Sequence, residues 1–147
     1  MTNIKQLDKK LIKLATKIHL SAARLALFVI YFWFGILKIL DLSPATPLAR
    51  ALVDKTIGAG AFHTSFIILA AFECFIGALF LFPKLTRVAV ILLIIHMAIV
   101  CSPLILVPSL AWQSFLVPTL EGQYIIKNLA LIALSLTLLA PLKPIKK

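Results

Sequence analysis

Apolar residues run almost unbroken through four stretches of the chain, about Ala22 to Leu40, His63 to Phe82, Leu85 to Ile105 and Tyr124 to Leu142. Each approaches the roughly 20 residues a helix needs to cross a bilayer's hydrocarbon core. Water is absent there, so backbone N–H and C=O groups must be satisfied internally, and the alternating pattern of a lipid-facing barrel is missing. The stretches therefore read as helices. Pro103, Pro108 and Pro118 crowd the end of the third and the loop after it. Proline removes a helical hydrogen bond and restricts the residue before it, which predicts a stop near Cys101. The expected spans are then about 22–40, 63–82, 85–102 and 124–142. The stretch "SPLILVPSLAWQSFLVPTLEG" is expected to run along or dip into the membrane surface, with Trp112 as an interfacial anchor. Between the first two spans, "PLARALVDKTIG" opens on proline and closes on glycine, which predicts a short helix outside the bilayer.

A different pattern occupies residues 1–20. Ile4, Leu7, Leu11, Leu14 and Ile18 recur at three-four spacing, with Lys5, Lys9, Lys13 and Lys17 on the opposite face. This predicts an amphipathic interfacial helix resting on anionic headgroups. A basic region followed by an apolar one also outlines a signal peptide, but the apolar part is of spanning length and no A-x-A site closes it. The segment reads as an uncleaved anchor. Residues 21–147 then form a single four-span membrane domain. The expected fold class is all-α, an integral membrane four-helix bundle preceded by the interfacial helix.

Composition agrees, with 62% hydrophobic and 14% charged residues and a mean hydropathy of +1.08, beyond the range of soluble domains. The net charge of +10 is a matter of topology. Lys5, Lys9, Lys10, Lys13, Lys17, Arg24, Lys84, Arg87, Lys143, Lys146 and Lys147 fall on one side, and only Lys38, Arg50, Lys55 and Lys127 on the other. The positive-inside rule places both termini and the "FPKLTR" turn in the cytoplasm, with a bacterial inner membrane as the expected location. Nucleic-acid binding is set aside, because no soluble basic fold carries it.

Polar residues inside the spans are the candidate chemistry. Glu73 is the only Asp, Glu, Lys or Arg between Lys55 and Lys84. In the first span Arg24, Phe28, Tyr31, Gly35 and Lys38 share a stripe expected to face the bundle; in the second, Phe66, Ala70, Glu73 and Gly77 share another, with small residues that admit a neighbouring helix. A rise of about 1.5 Å per residue puts Glu73 about 15 Å below the outer surface and His96 about 10 Å below it. Tyr124, Lys127 and Asn128 share one face of the fourth span's first turn, and Ser135 follows Asn128 two turns on. An ionised carboxylate alone is costly at that depth. Glu73 is expected to be neutral or to find a cationic partner among Lys38, Lys127 and His96.

The pieces "RLALFVIYFWFGILKI", "ECFIGALFLFP" and "GQYIIKNLALI", in that order and spacing, resemble the DoxX-like family of small four-helix membrane proteins. The resemblance covers roughly Arg24 to Leu139 and carries over Arg24, Gly35, Lys38, Glu73, Gly77, Gly122, Lys127 and Asn128 as matching positions. It implies the four-helix fold and a link to membrane redox or oxidative-stress systems. The family takes its name from a membrane subunit of a thiosulfate:quinone oxidoreductase.

Three functions follow as expectations. In the first, the protein is an accessory redox subunit whose polar site binds a quinone or similar apolar molecule, with Glu73 or His96 exchanging protons and a partner enzyme supplying electrons. In the second, it is a non-catalytic scaffold or assembly factor in which Glu73 and the lysines lock the helices. A proton-coupled transporter is the third and weakest, since no inverted repeat is evident. The chain carries no C-x-x-C, no haem-attachment motif and no glycine-rich nucleotide loop. Cys74 and Cys101 read as buried small residues at different depths, and His19, His63 and His96 are too scattered for a metal site. A bilayer, a redox-enzyme partner and a homo-oligomer are the partners this reading leaves open.

Overall fold

The computed structural model describes residues 2–144. Lys146 and Lys147, counted above for topology, lie outside the described residues. The chain forms α1 (Thr2–Ile39), α2 (Thr46–Thr56), α3 (Phe62–Phe80), α4 (Thr86–Cys101), α5 (Pro103–Leu106), α6 (Pro108–Ala111), a two-stranded ribbon of β1 (Trp112–Ser114) and β2 (Val117–Pro118), and α7 (Leu120–Leu139). Four helical stretches, Asn3–Ile39, Ala59–Phe80, Pro83–Leu106 and Leu120–Leu139, are long and apolar enough to cross a membrane. They pack as a bundle around Leu27, Tyr31, Ile76, Phe80, Leu93 and Leu138.

The sequence reading divides the chain near residue 20, but the backbone does not. α1 is one unbroken helix of 38 residues, because neither glycine nor proline interrupts it before Gly35. Its end is sharply defined. Asp41 takes φ 57°, the Asp41 N–H donates to Lys38 O at 3.2 Å and the Leu42 N–H to Leu37 O at 2.8 Å. This pair of bonds is a Schellman stop, with a short polar side chain tolerating the left-handed position that glycine usually fills. It fixes Lys38 in the last turn of α1.

α1 packs along α3 more extensively than any other pair of elements, and glycines on both helices explain why. A Cβ on Gly35 would lie 2.8 Å from Ala70 O and 2.5 Å from Cys74 Sγ, and one on Gly77 would lie 2.9 Å from Phe32 N and 3.2 Å from Phe28 O. The two backbones are in contact at this crossing, as expected of small residues placed in a helix interface.

α4 stops at Cys101, the position predicted from Pro103. The segment beyond it adds a small ribbon to an otherwise helical chain, pairing Trp112 with Pro118 and Ser114 with Val117. Trp112 Nε1 donates to Leu104 O at 2.9 Å, tying the ribbon to α5. α7 begins at Leu120, four residues before the apolar run. Thr119 is responsible: its Oγ1 accepts from Gly122 N at 3.0 Å and donates to Leu110 O at 2.7 Å. This N-cap brings the polar "LEGQ" into the helix. Gly122 lies so close to Ala111 O and Pro118 that no side chain fits there.

Candidate functional site

The α1–α3 crossing sets Glu73 beside the last two turns of α1. Phe66, Ala70, Glu73 and Gly77 are all buried on α3, while Tyr31 and Lys38 are buried on α1 and His96 on α4. Glu73 is 5% exposed, Lys38 8%, His96 4% and Tyr31 3%. The lysine stem reaches inward, and Nζ donates to Glu73 Oε2 at 2.6 Å. On the other carboxylate oxygen, Oε1 lies 3.1 Å from His96 Nε2. His96 Nδ1 in turn lies 3.3 Å from the Tyr31 hydroxyl, and the two rings meet edge to face at 5.2 Å.

The donor and acceptor roles along this chain follow from the tautomer of His96. With Glu73 ionised and the imidazole neutral, Nε2 donates to Oε1, and Nδ1 accepts from the Tyr31 hydroxyl. The result is a directional series from Tyr31 O–H through the imidazole to Glu73 and the Lys38 ammonium. Each member has a partner, and no buried side-chain nitrogen or oxygen among the described residues lacks one. Such satisfaction is required where an unpaired charge would be costly.

Of the candidate residues, Glu73, Lys38, His96 and Tyr31 come together, whereas Lys127 and Asn128 do not, and Arg24, expected on the cytoplasmic side, lies apart from them. Lys127 is exposed, with Nζ 5.0 Å from the centre of the Tyr124 ring. Asn128 is half-buried and makes no hydrogen bond to the cluster. α7 instead buries Gly122, Ile125, Ser135 and Leu138, a face that leaves Lys127 outward. Arg24 stands fourteen residues from Lys38, about 21 Å along the helix. There it donates to Thr86 Oγ1 at 2.7 Å and to Phe80 O at 3.4 Å. A guanidinium at the last carbonyls of α3 complements that helix's negative end. Thr86, fully buried, also donates to Pro83 O at 2.8 Å. The sequence reading missed this partner; its only signal was a threonine opening α4 directly after the "FPKL" turn.

Cys74 and Cys101 are unbridged thiols. Among the described residues no group of three or more His, Cys, Asp or Glu side chains is placed to hold a metal ion. Compared with protein-family models, curated proteins and solved structures, the chain matches none.

Proposed function

We propose that this is a multi-pass membrane protein of the DoxX-like kind, an accessory subunit of a membrane redox or oxidative-stress system, in which Glu73 and His96 exchange protons with a quinone or similar apolar molecule. The carrying observation is a single carboxylate shared between Lys38 and His96, with Tyr31 hydrogen-bonded behind the imidazole. Reducing a quinone to a quinol takes two electrons and two protons. A redox partner supplies the electrons, and a buried series of titratable groups supplies a route for the protons. Ion pairs buried in this way add little net stability over apolar side chains of similar volume, which favours a use in chemistry.

The membrane setting rests on the four apolar helices and on the large side chains they expose, among them Trp33, Ile68, Phe75, Ile91 and Leu129. The distribution of Lys and Arg supports cytoplasmic termini, an arrangement suited to a bacterial inner membrane, with residues 2–20 on the cytoplasmic side. A scaffold or assembly role is the second reading. It is favoured by the complete pairing of the buried polar atoms, which is also what an internal lock requires.

Glu73→Gln separates the two. The redox reading predicts a variant that still inserts and folds, at a stability cost from the Lys38 ammonium no longer facing a carboxylate, and whose folded fraction loses at least about tenfold in quinol formation or oxidant tolerance in cells, within the range for loss of a proton-transfer group. Unchanged redox activity with reduced stability would leave the scaffold reading in its place.

A further inference from the structure

Residues 3–19 of α1 are exposed on every side, and Leu20 is the first residue to gain cover from the bundle. At about 1.5 Å per residue this is an arm of about 26 Å. Its apolar stripe has a definite direction. Leu27, wholly buried, lies twenty residues beyond Leu7, a rotation of about 200° at 3.6 residues per turn. The stripe therefore points away from the bundle. Leu25 follows Ile18 by seven residues, a rotation only about 20° short of two full turns, and Leu25 and Val29 are exposed as well. The arm's stripe and the outer face of α1 are thus one continuous apolar surface, which the bundle cannot cover.

The charges select the occupant. The arm carries Lys5, Lys9, Lys10, Lys13 and Lys17 against the single Asp8, so two arms brought side by side would repel. An acidic surface would attract both. Lys10 and Lys17 border the stripe, about 80° and 100° from its centre at 100° per residue, where their stems can reach headgroups while the stripe enters the acyl boundary.

We infer that residues 3–19 dock on the anionic lipid surface of the bilayer that holds the bundle. The arm leans outward from Ser21 and Ala22, so that Leu7, Leu11 and Leu14 enter the headgroup boundary and Lys10 and Lys17 pair with lipid phosphates or carboxylates. α1 is helical without interruption through Ser21, and the lean bends it where its side chains stop packing on the bundle. This inference rests on the membrane reading of the bundle. To the expectation of an interfacial helix it adds which way the arm turns, which residues enter the boundary and which lysines meet the headgroups.

The test uses the full chain with Cys74→Ala and Cys101→Ala, carrying a fluorophore at Leu11→Cys, Lys9→Cys or Val29→Cys, at one copy per nanodisc. The discs contain lipid-borne quenchers and either phosphatidylcholine alone or phosphatidylcholine with phosphatidylglycerol. The expected result is quenching at position 11 in anionic discs and not in neutral ones, with position 9 unquenched in both. Each lysine near an anionic surface is worth about a fivefold preference. Lys10→Gln with Lys17→Gln should therefore reduce the docked-to-free ratio about 25-fold. Equal behaviour of position 11 in the two lipids, or quenching that appears only with two copies per disc, overturns the inference, the latter in favour of a second copy. Position 29 separates the levels: unquenched everywhere, it removes the membrane reading itself; quenched while position 11 stays free, it removes only the arm's docking.

Discussion

Replacing Glu73 by leucine is expected to lower the unfolding free energy by about 4 kcal/mol, in the range for breaking a buried ion pair. The loss comes from what stays behind. Lys38, 8% exposed, would keep its ammonium in an apolar setting with no carboxylate at 2.6 Å. His96 would lose the acceptor for Nε2 as well. Adding Lys38→Met removes the stranded charge and should recover at least half of the deficit, leaving the unpaired imidazole N–H at about 1–2 kcal/mol. Denaturant titration of both variants and of Lys38→Met alone, in one detergent, closes the double-mutant cycle. Additive effects of the two single changes would mean that the side chains are not coupled and that the pairing is incorrectly described.

The second large effect is expected at the α1–α3 crossing. Gly77→Leu should destabilise by about 3 kcal/mol, the upper part of the range for overpacking, because the atoms in its way are Phe32 N and Phe28 O, backbone groups that cannot rotate aside. The damage should reach the site. Forcing the helices apart draws Lys38 and Tyr31 away from Glu73 and His96, since α1 carries the first two and α3 and α4 the others. Gly60→Leu is the control, as nothing lies within 4 Å of a Cβ at that position, and it should stay within about 0.5 kcal/mol of the parent. Equal stability of the two variants would show that the close crossing is not required.

Much of this arrangement was legible in the order of residues. Glu73 stands out as a lone acid in an apolar run, and its stripe with Ala70 and Gly77 indicates both the buried face and the room for a neighbour. Tyr31, Gly35 and Lys38 repeat at a matching spacing on α1, so the pairing of two small-residue stripes brings the acid and the lysine together. His96 follows from depth alone. The fourth helix was not legible, because its middle is apolar on nearly every side and periodicity then says nothing about which face is buried. Gly122 against Ala111 and Pro118, and the buried Ser135, set that rotation, and they turn Lys127 outward. The ends of α1 at Ile39 and of α4 at Cys101 agree with the apolar pattern and with Pro103, but the start of α7 was hidden. It depends on the hydrogen bonds of one side chain, Thr119, whereas hydropathy reports averages over a turn or more. The ribbon at Trp112–Pro118 escaped notice because its strands are only three and two residues long.

The central claim is that the Glu73 carboxyl group changes its proton occupancy when a quinone is reduced. An infrared difference spectrum tests this most directly, recorded between oxidised and reduced quinone on the protein reconstituted with its redox partner. The expected result is a protonated-carboxyl stretch that changes on reduction, shifts in deuterium oxide and is absent from Glu73→Gln, with Tyr31→Phe showing the same band at altered frequency. A carboxyl region that stays flat in the parent while quinone is being reduced would contradict it, and would leave the Lys38–Glu73–His96 cluster as a lock between helices.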